Sequence, residues 1–268
     1  MTKKQKKLDE IIVDGTPEMK PFAPYSSRLP LHSSDHFKRW HSAAIHEAGH
    51  AIADLYCTAT GMGEPHIERA EIGYSNKKPW GRIVNLVLHP KALKKMSSNK
   101  LREYIFHSGV GCSAGSVAER VPYSKADLRR GIAIARRGEA TADDAAHFAA
   151  DYLAGVPDAS NAEICEAWSF CEAAAGDLFQ HPSVKKAVER VAQALLKRGS
   201  LDIDAIVRAA KMGKRGGYWV KGHAAGALED NRDFWLASSR FAPIPTTSAR
   251  RRKPTRKKAL QLKRTGTK

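Results

Sequence analysis

No apolar run in this 268-residue chain approaches the roughly 20 residues that a membrane-spanning helix needs. The lysine-rich start, Met1 to Glu10, is followed by neither an apolar h-region nor a small-residue cleavage site, so the reading is a cytoplasmic protein without membrane contact. Cysteine is scarce as well. Cys57, Cys112, Cys165 and Cys171 show no CxxC spacing and, in a reducing compartment, are expected to stay free thiols; Cys165 and Cys171 read as packing inside a helix. There is no GxxxxGK[ST] loop, since Gly213-Lys214 lacks both the upstream glycine and the following Ser or Thr, so the chain acting alone is expected to be ATP-independent. Aromatic residues make up only 7% of the chain, and with its alanine-rich stretches this composition leans helical.

Basic residues are abundant, for a net charge of +17, but unevenly placed. Ten of them and no acidic residue lie between Arg250 and Lys268, so more than half of the excess sits in one tail. A block of like charge cannot bury a core, and it reads as disordered, either a solvated tail or a non-specific contact for nucleic acid or another polyanion. The chain divides accordingly into a flexible leader over 1–30, one folded domain over 31–212, and a weakly patterned segment over 213–268 ending in the tail. Helical periodicity predicts helices over Phe37 to Tyr56, Asn99 to Val121, Ala126 to Arg137, a segment opening at Thr141 as N-cap, Ala162 to Phe179, Ser183 to Arg198 and Asp202 to Ala210. Ile67 to Tyr74 and Trp80 to Leu88 read as a β-hairpin. The fold class expected is mainly α with a small sheet.

The first helix carries His46-Glu47-Ala48-Gly49-His50, an HExxH motif. Histidines four apart share one helical face about a turn apart, so both imidazoles can converge on one ion, and zinc suits neutral imidazole ligands. Glu47, next in sequence to His46, falls beside a water on that metal without being a ligand and so can serve as general base. Ala44, Ile45, Ala51 and Ile52 make this a buried helix, in which an unpartnered His-Glu-His set would be costly unless a metal satisfies it.

These residues resemble the FtsH-type peptidase family, known as M41, whose protease domain carries HEAGH. Gly111-Cys112-Ser113-Ala114-Gly115-Ser116-Val117-Ala118-Glu119 is similar to that family's small-residue helix ending in Ala-Glu, and the hairpin is similar to its strand pair. The resemblance spans roughly His41 to Leu153. It implies a zincin-like helix packed on a helical bundle, and a zinc metallopeptidase that hydrolyses peptide bonds without the ATPase to which such domains are usually fused. It also implies a third zinc ligand that is an aspartate opening a later helix. Letter matching favours Asp143, whereas periodicity favours Asp144, which shares a face with Phe148 and Tyr152; Asp127 and, as a glutamate ligand, Glu119 are the alternatives.

Asp54, a turn beyond His50, reads as a surface residue or a hydrogen-bond partner of a ligand imidazole. His32, His36, His41, His66, His89, His107, His181 and His223 lack metal spacing and read as surface or core histidines. The strand Trp80 to Leu88 can cover the first helix or bind a peptide substrate along its edge. The competing function is a non-catalytic interaction or nucleic-acid-binding protein whose metal site is structural or lost and whose tail carries the activity.

Overall fold

Helix α1, Ser34–Ala59, runs through the middle of the protein, and nearly every side chain from Ala43 to Thr58 is buried. A helix apolar on all sides needs neighbours on all sides. The computed structural model, which describes residues 11–13, 34–62, 66–75, 78–88, 93, 95–121, 138–212 and 223–238, supplies them from helices on two flanks and a sheet. Helix α2, Ser98–Arg120, packs along α1, and α5, Pro182–Arg198, packs on another side. Helices α3, Gly138–Gly155, and α4, Asn161–Gln180, lie against α2. The architecture is mainly α with a small antiparallel sheet.

Strands β2, Ile67–Ser75, and β3, Lys78–Leu88, form the hairpin, in register from Ile67 opposite Asn85 to Ser75 opposite Lys78, with an irregularity between Ile67 and Arg69. Both strands reach closer to the turn than the alternation predicts. Two three-residue strands complete the order β1-β3-β2-β4: β1, Ile11–Val13, on Leu86–Leu88 of β3, and β4, Ser200–Asp202, on Arg69–Glu71 of β2. Strand β4 is too short to leave a pattern. It follows Gly199, whose positive φ of 76° ends α5 and turns the chain onto β2, where its carbonyl accepts from Ile72 N at 2.7 Å.

Helix starts show where local chemistry differs from the sequence reading. Helix α3 begins at Gly138, so Thr141 lies inside it and is not its N-cap. Helix α5 starts at Pro182, one residue ahead of the expected Ser183, and is capped by His181. Helix α4 opens with a capping box in which Ser160 and Glu163 exchange hydrogen bonds, and Asp202 caps α6, Ile203–Ala210, through Ala205 N at 2.7 Å. Cys165 is exposed while Cys171 is buried, and all four cysteines are free.

The largest departure lies beyond residue 212. Where the sequence shows only weak periodicity, helix α7, His223–Ala237, packs on α4 and α2. Trp235 and Leu228 are fully buried, and the Trp235 ring meets Phe106 and Phe170, each with centroids 5.6 Å away. Its Nε1–H donates to Arg102 O, and the Arg102 guanidinium donates to Trp235 O and Ser238 O, which satisfies both a buried indole and the helix end. The packed body therefore extends to α7. The segment 126–137, with Asp127, and the basic tail 250–268 lie outside the described residues. No described helix is long and apolar enough to cross a membrane.

Candidate metal centre

Helices α1 and α2 approach closely because small residues face each other. A Cβ on Gly49 would collide with Ala118 Cβ and the Ala114 carbonyl, and a Cβ on Gly115 would fall on Nε2 of both His46 and His50. Glycine at 115 thus lets the two imidazoles converge, against bare backbone, on one small space. On the sheet side, a Cβ on Gly81 of β3 would fall on the Glu47 carboxylate, so bare backbone makes room for that side chain.

Both imidazoles are anchored through the nitrogen that points away from this space. His50 Nδ1 lies 2.7 Å from Gly111 O; a carbonyl only accepts, so Nδ1 carries the proton and Nε2 keeps its lone pair. His46 Nδ1 lies 2.7 Å from Glu119 Oε1, and Ser42 Oγ donates to the other Glu119 oxygen at 2.9 Å. Glu119, an alternative third ligand on the sequence, is instead the carboxylate behind a ligand: it sets the orientation of His46 from the side opposite the convergent Nε2 atoms.

The third donor comes from α3. Asp144 Oδ2 lies 3.5 Å from His46 Nε2 and 3.7 Å from His50 Nε2, and although buried it has no hydrogen-bond partner. Tetrahedral zinc with bonds near 2.0 Å separates its ligand atoms by about 3.3 Å. Two imidazole nitrogens and one orphaned carboxylate oxygen at this spacing can hold a metal ion. Asp143, the neighbour favoured by letter matching, is exposed at the rim of the cleft and does not join the group.

The electrostatics carry the same imprint. Burial is the largest influence on His46 and pushes its imidazolium down, but the Asp144 and Glu119 carboxylates together outweigh it and lift the group to about 10. Burial, joined by the charge on His46, holds His50 below its ordinary value despite Asp144. The Asp144 carboxylate that draws a proton to His46 thus lies where a divalent cation would satisfy all three donors.

No protein-family model matches this chain, and no curated protein matches it either.

A cleft of about 360 Å³ opens from the triad, bordered by Glu47, by Gly81, Arg82 and Ile83 of β3, and by α3. Asp151 on its wall accepts from Ser108 Oγ at 2.6 Å and Tyr104 OH at 3.3 Å. Asp54 does not hydrogen-bond the His46 or His50 imidazole, whose Nδ1 atoms are committed to Glu119 and Gly111. It receives His107 Nε2 at 2.7 Å and the backbone N–H groups of His66 and Ile67. His66 and His107, read as ordinary histidines, therefore belong to a second polar cluster on the cleft, and only the tertiary contact of Asp54 with α2 reveals it. Phe148, Trp168 and Tyr152 fill the layer behind α3, while Phe170 stacks on Phe234 and Trp235.

Proposed function

We propose that this protein is a zinc metallopeptidase whose HEAGH motif resembles that of the FtsH-type family and whose cleavage of peptides is ATP-independent, with His46, His50 and Asp144 holding the metal and Glu47 as general base. The observation that carries the reading is the convergence of two anchored Nε2 atoms and an unpartnered Asp144 oxygen at metal-ligand spacing, with Glu47 one residue from His46 on the cleft. Zinc bound there would polarise a peptide carbonyl and acidify water near neutral pH. Glu47 accepts a proton from the water whose oxygen attacks the carbonyl carbon, and returns it to the departing amine nitrogen as the C–N bond breaks. With a metal bound, Glu119 and Gly111 would hold the one remaining ring proton of each imidazole on Nδ1 and leave Nε2 to the metal. The 360 Å³ cleft favours extended peptides or exposed loops over folded domains, and a cytoplasmic setting is part of the proposal.

The test is elemental analysis and peptide cleavage on wild type beside His46→Ala and Glu47→Gln. The expected result is that His46→Ala loses one zinc per chain while Glu47→Gln keeps it, and that cleavage falls on the order of 10²-fold or more in both. Zinc content unchanged by His46→Ala, in protein purified without chelator, would sink the proposal.

A further inference from the structure

One turn of α1 beyond His50, Asp54 meets two histidines that the peptidase reading leaves without a task. Its Oδ1 lies 2.7 Å from His107 Nε2 and 3.8 Å from His66 Nδ1. The first is a hydrogen bond; the second is too long for one. Among the described residues the His66 ring has no hydrogen bond of its own. It stacks on His107, with centroids 4.0 Å apart and planes at 22°, and its Nδ1 and His107 Nε2 lie beside the same Asp54 oxygen. His107 Nδ1 lies 3.2 Å from Met62 O, which can only accept, so a metal on Nε2 would leave the ring proton on Nδ1 with a partner. The three donor atoms lie within 4.8 Å of one another, come from α1, the residue just before β2 and α2, and border the same cleft as the triad.

We infer that Asp54, His66 and His107 form a second divalent-metal site, with Nδ1, Nε2 and Oδ1 as ligands and the remaining positions open to the cleft. Two imidazole nitrogens and one carboxylate oxygen suit zinc and its first-row neighbours. Metal entry releases the proton that His107 Nε2 shares with Asp54, separates those two atoms to about the 3.3 Å of tetrahedral ligands, and tilts the His66 ring out of its stack so that Nδ1 turns inward. The remaining Asp54 oxygen keeps its bonds to the backbone N–H groups of His66 and Ile67, which hold the carboxylate in place as outer partners do at metal sites. A bound ion would tie the residue just before β2 and the middle of α2 to α1 beside the triad.

The site stands independently of the peptidase reading and is tested apart from it. Zinc per chain is measured by elemental analysis after metal loading and gel filtration, in wild type, His66→Gln, and a His46→Ala/His50→Ala variant. The expected values are two, one and one, with zero when all three substitutions are combined, and cobalt loaded into the double variant should give a visible spectrum that His66→Gln removes. Should the double variant misfold, the comparison of wild type with His66→Gln decides alone, because His66 is partly exposed and its replacement leaves the Asp54–His107 bond intact. Zinc unchanged by His66→Gln, or a folded double variant that binds no metal, overturns the proposal. One zinc lost in His66→Gln but none lost in His46→Ala would keep this site and discard the triad.

Discussion

At Gly115 a single methyl group competes with an ion. Its Cβ would occupy the point on which His46 and His50 converge, whereas at Gly49 the added atom would strike Ala118 and the Ala114 backbone. The two Gly→Ala substitutions should therefore separate. Gly115→Ala is expected to weaken zinc binding by 10²-fold or more with a modest change in stability, read by competition with a chromophoric chelator. Gly49→Ala is expected to destabilise by about 1–3 kcal/mol through overpacking where α1 meets α2, read by urea denaturation. His46, Glu47 and His50 were legible in the sequence because their relation is local to one helix. Asp144 was half legible: periodicity turns it inward and Asp143 outward, but only the packing of α3 against α2 brings it to within 3.7 Å of both imidazoles. Glu119 was misread as a possible ligand because sequence order cannot say from which side of an imidazole a carboxylate approaches.

Among the elements, α7 tests how far the fold depends on parts with little pattern. Its buried face is thin, Ala225, Leu228 and Trp235, which is why periodicity does not announce it. Trp235→Ala removes a fully buried ring and an indole bond to Arg102 O, and should cost about 3–5 kcal/mol in chemical denaturation. A change below about 1 kcal/mol would mean that α7 is an appendage. Helix α4 offers a pH test. The backbone N–H and hydroxyl of Ser160 both donate to Glu163, which holds its carboxyl below the ordinary value. A folded pKa below the unfolded value of about 4.3 gives a contribution present above that value and lost as pH falls through the folded pKa. Glu163→Ala should lower Tm at pH 7, and the difference from wild type should close as pH drops below about 4.

For the whole molecule, the charge distribution separates two roles. If the ten basic residues of 250–268 bind polyanions, their deletion should weaken binding to duplex DNA or heparin and reduce the salt slope by about 0.9 for each phosphate that is no longer neutralised. Zinc content and peptide cleavage should not change, because every donor of the triad lies on α1 or α3. Loss of zinc on deleting the tail would link the two ends of the chain and revise this division.

What the sequence determined by itself is whatever depends on neighbours along the chain: the helical α1 with two histidines and a glutamate on spaced positions, the β2–β3 hairpin from alternation, and α2, α4, α5 and α6 to within a few residues. The tertiary structure alone decided which carboxylate completes the triad, that Glu119 stands behind His46, that Asp54 gathers His66 and His107, and that α7 closes the core. Each of these joins groups more than ten residues apart. Their distances follow from how closely small side chains let helices pack, and no local periodicity encodes that.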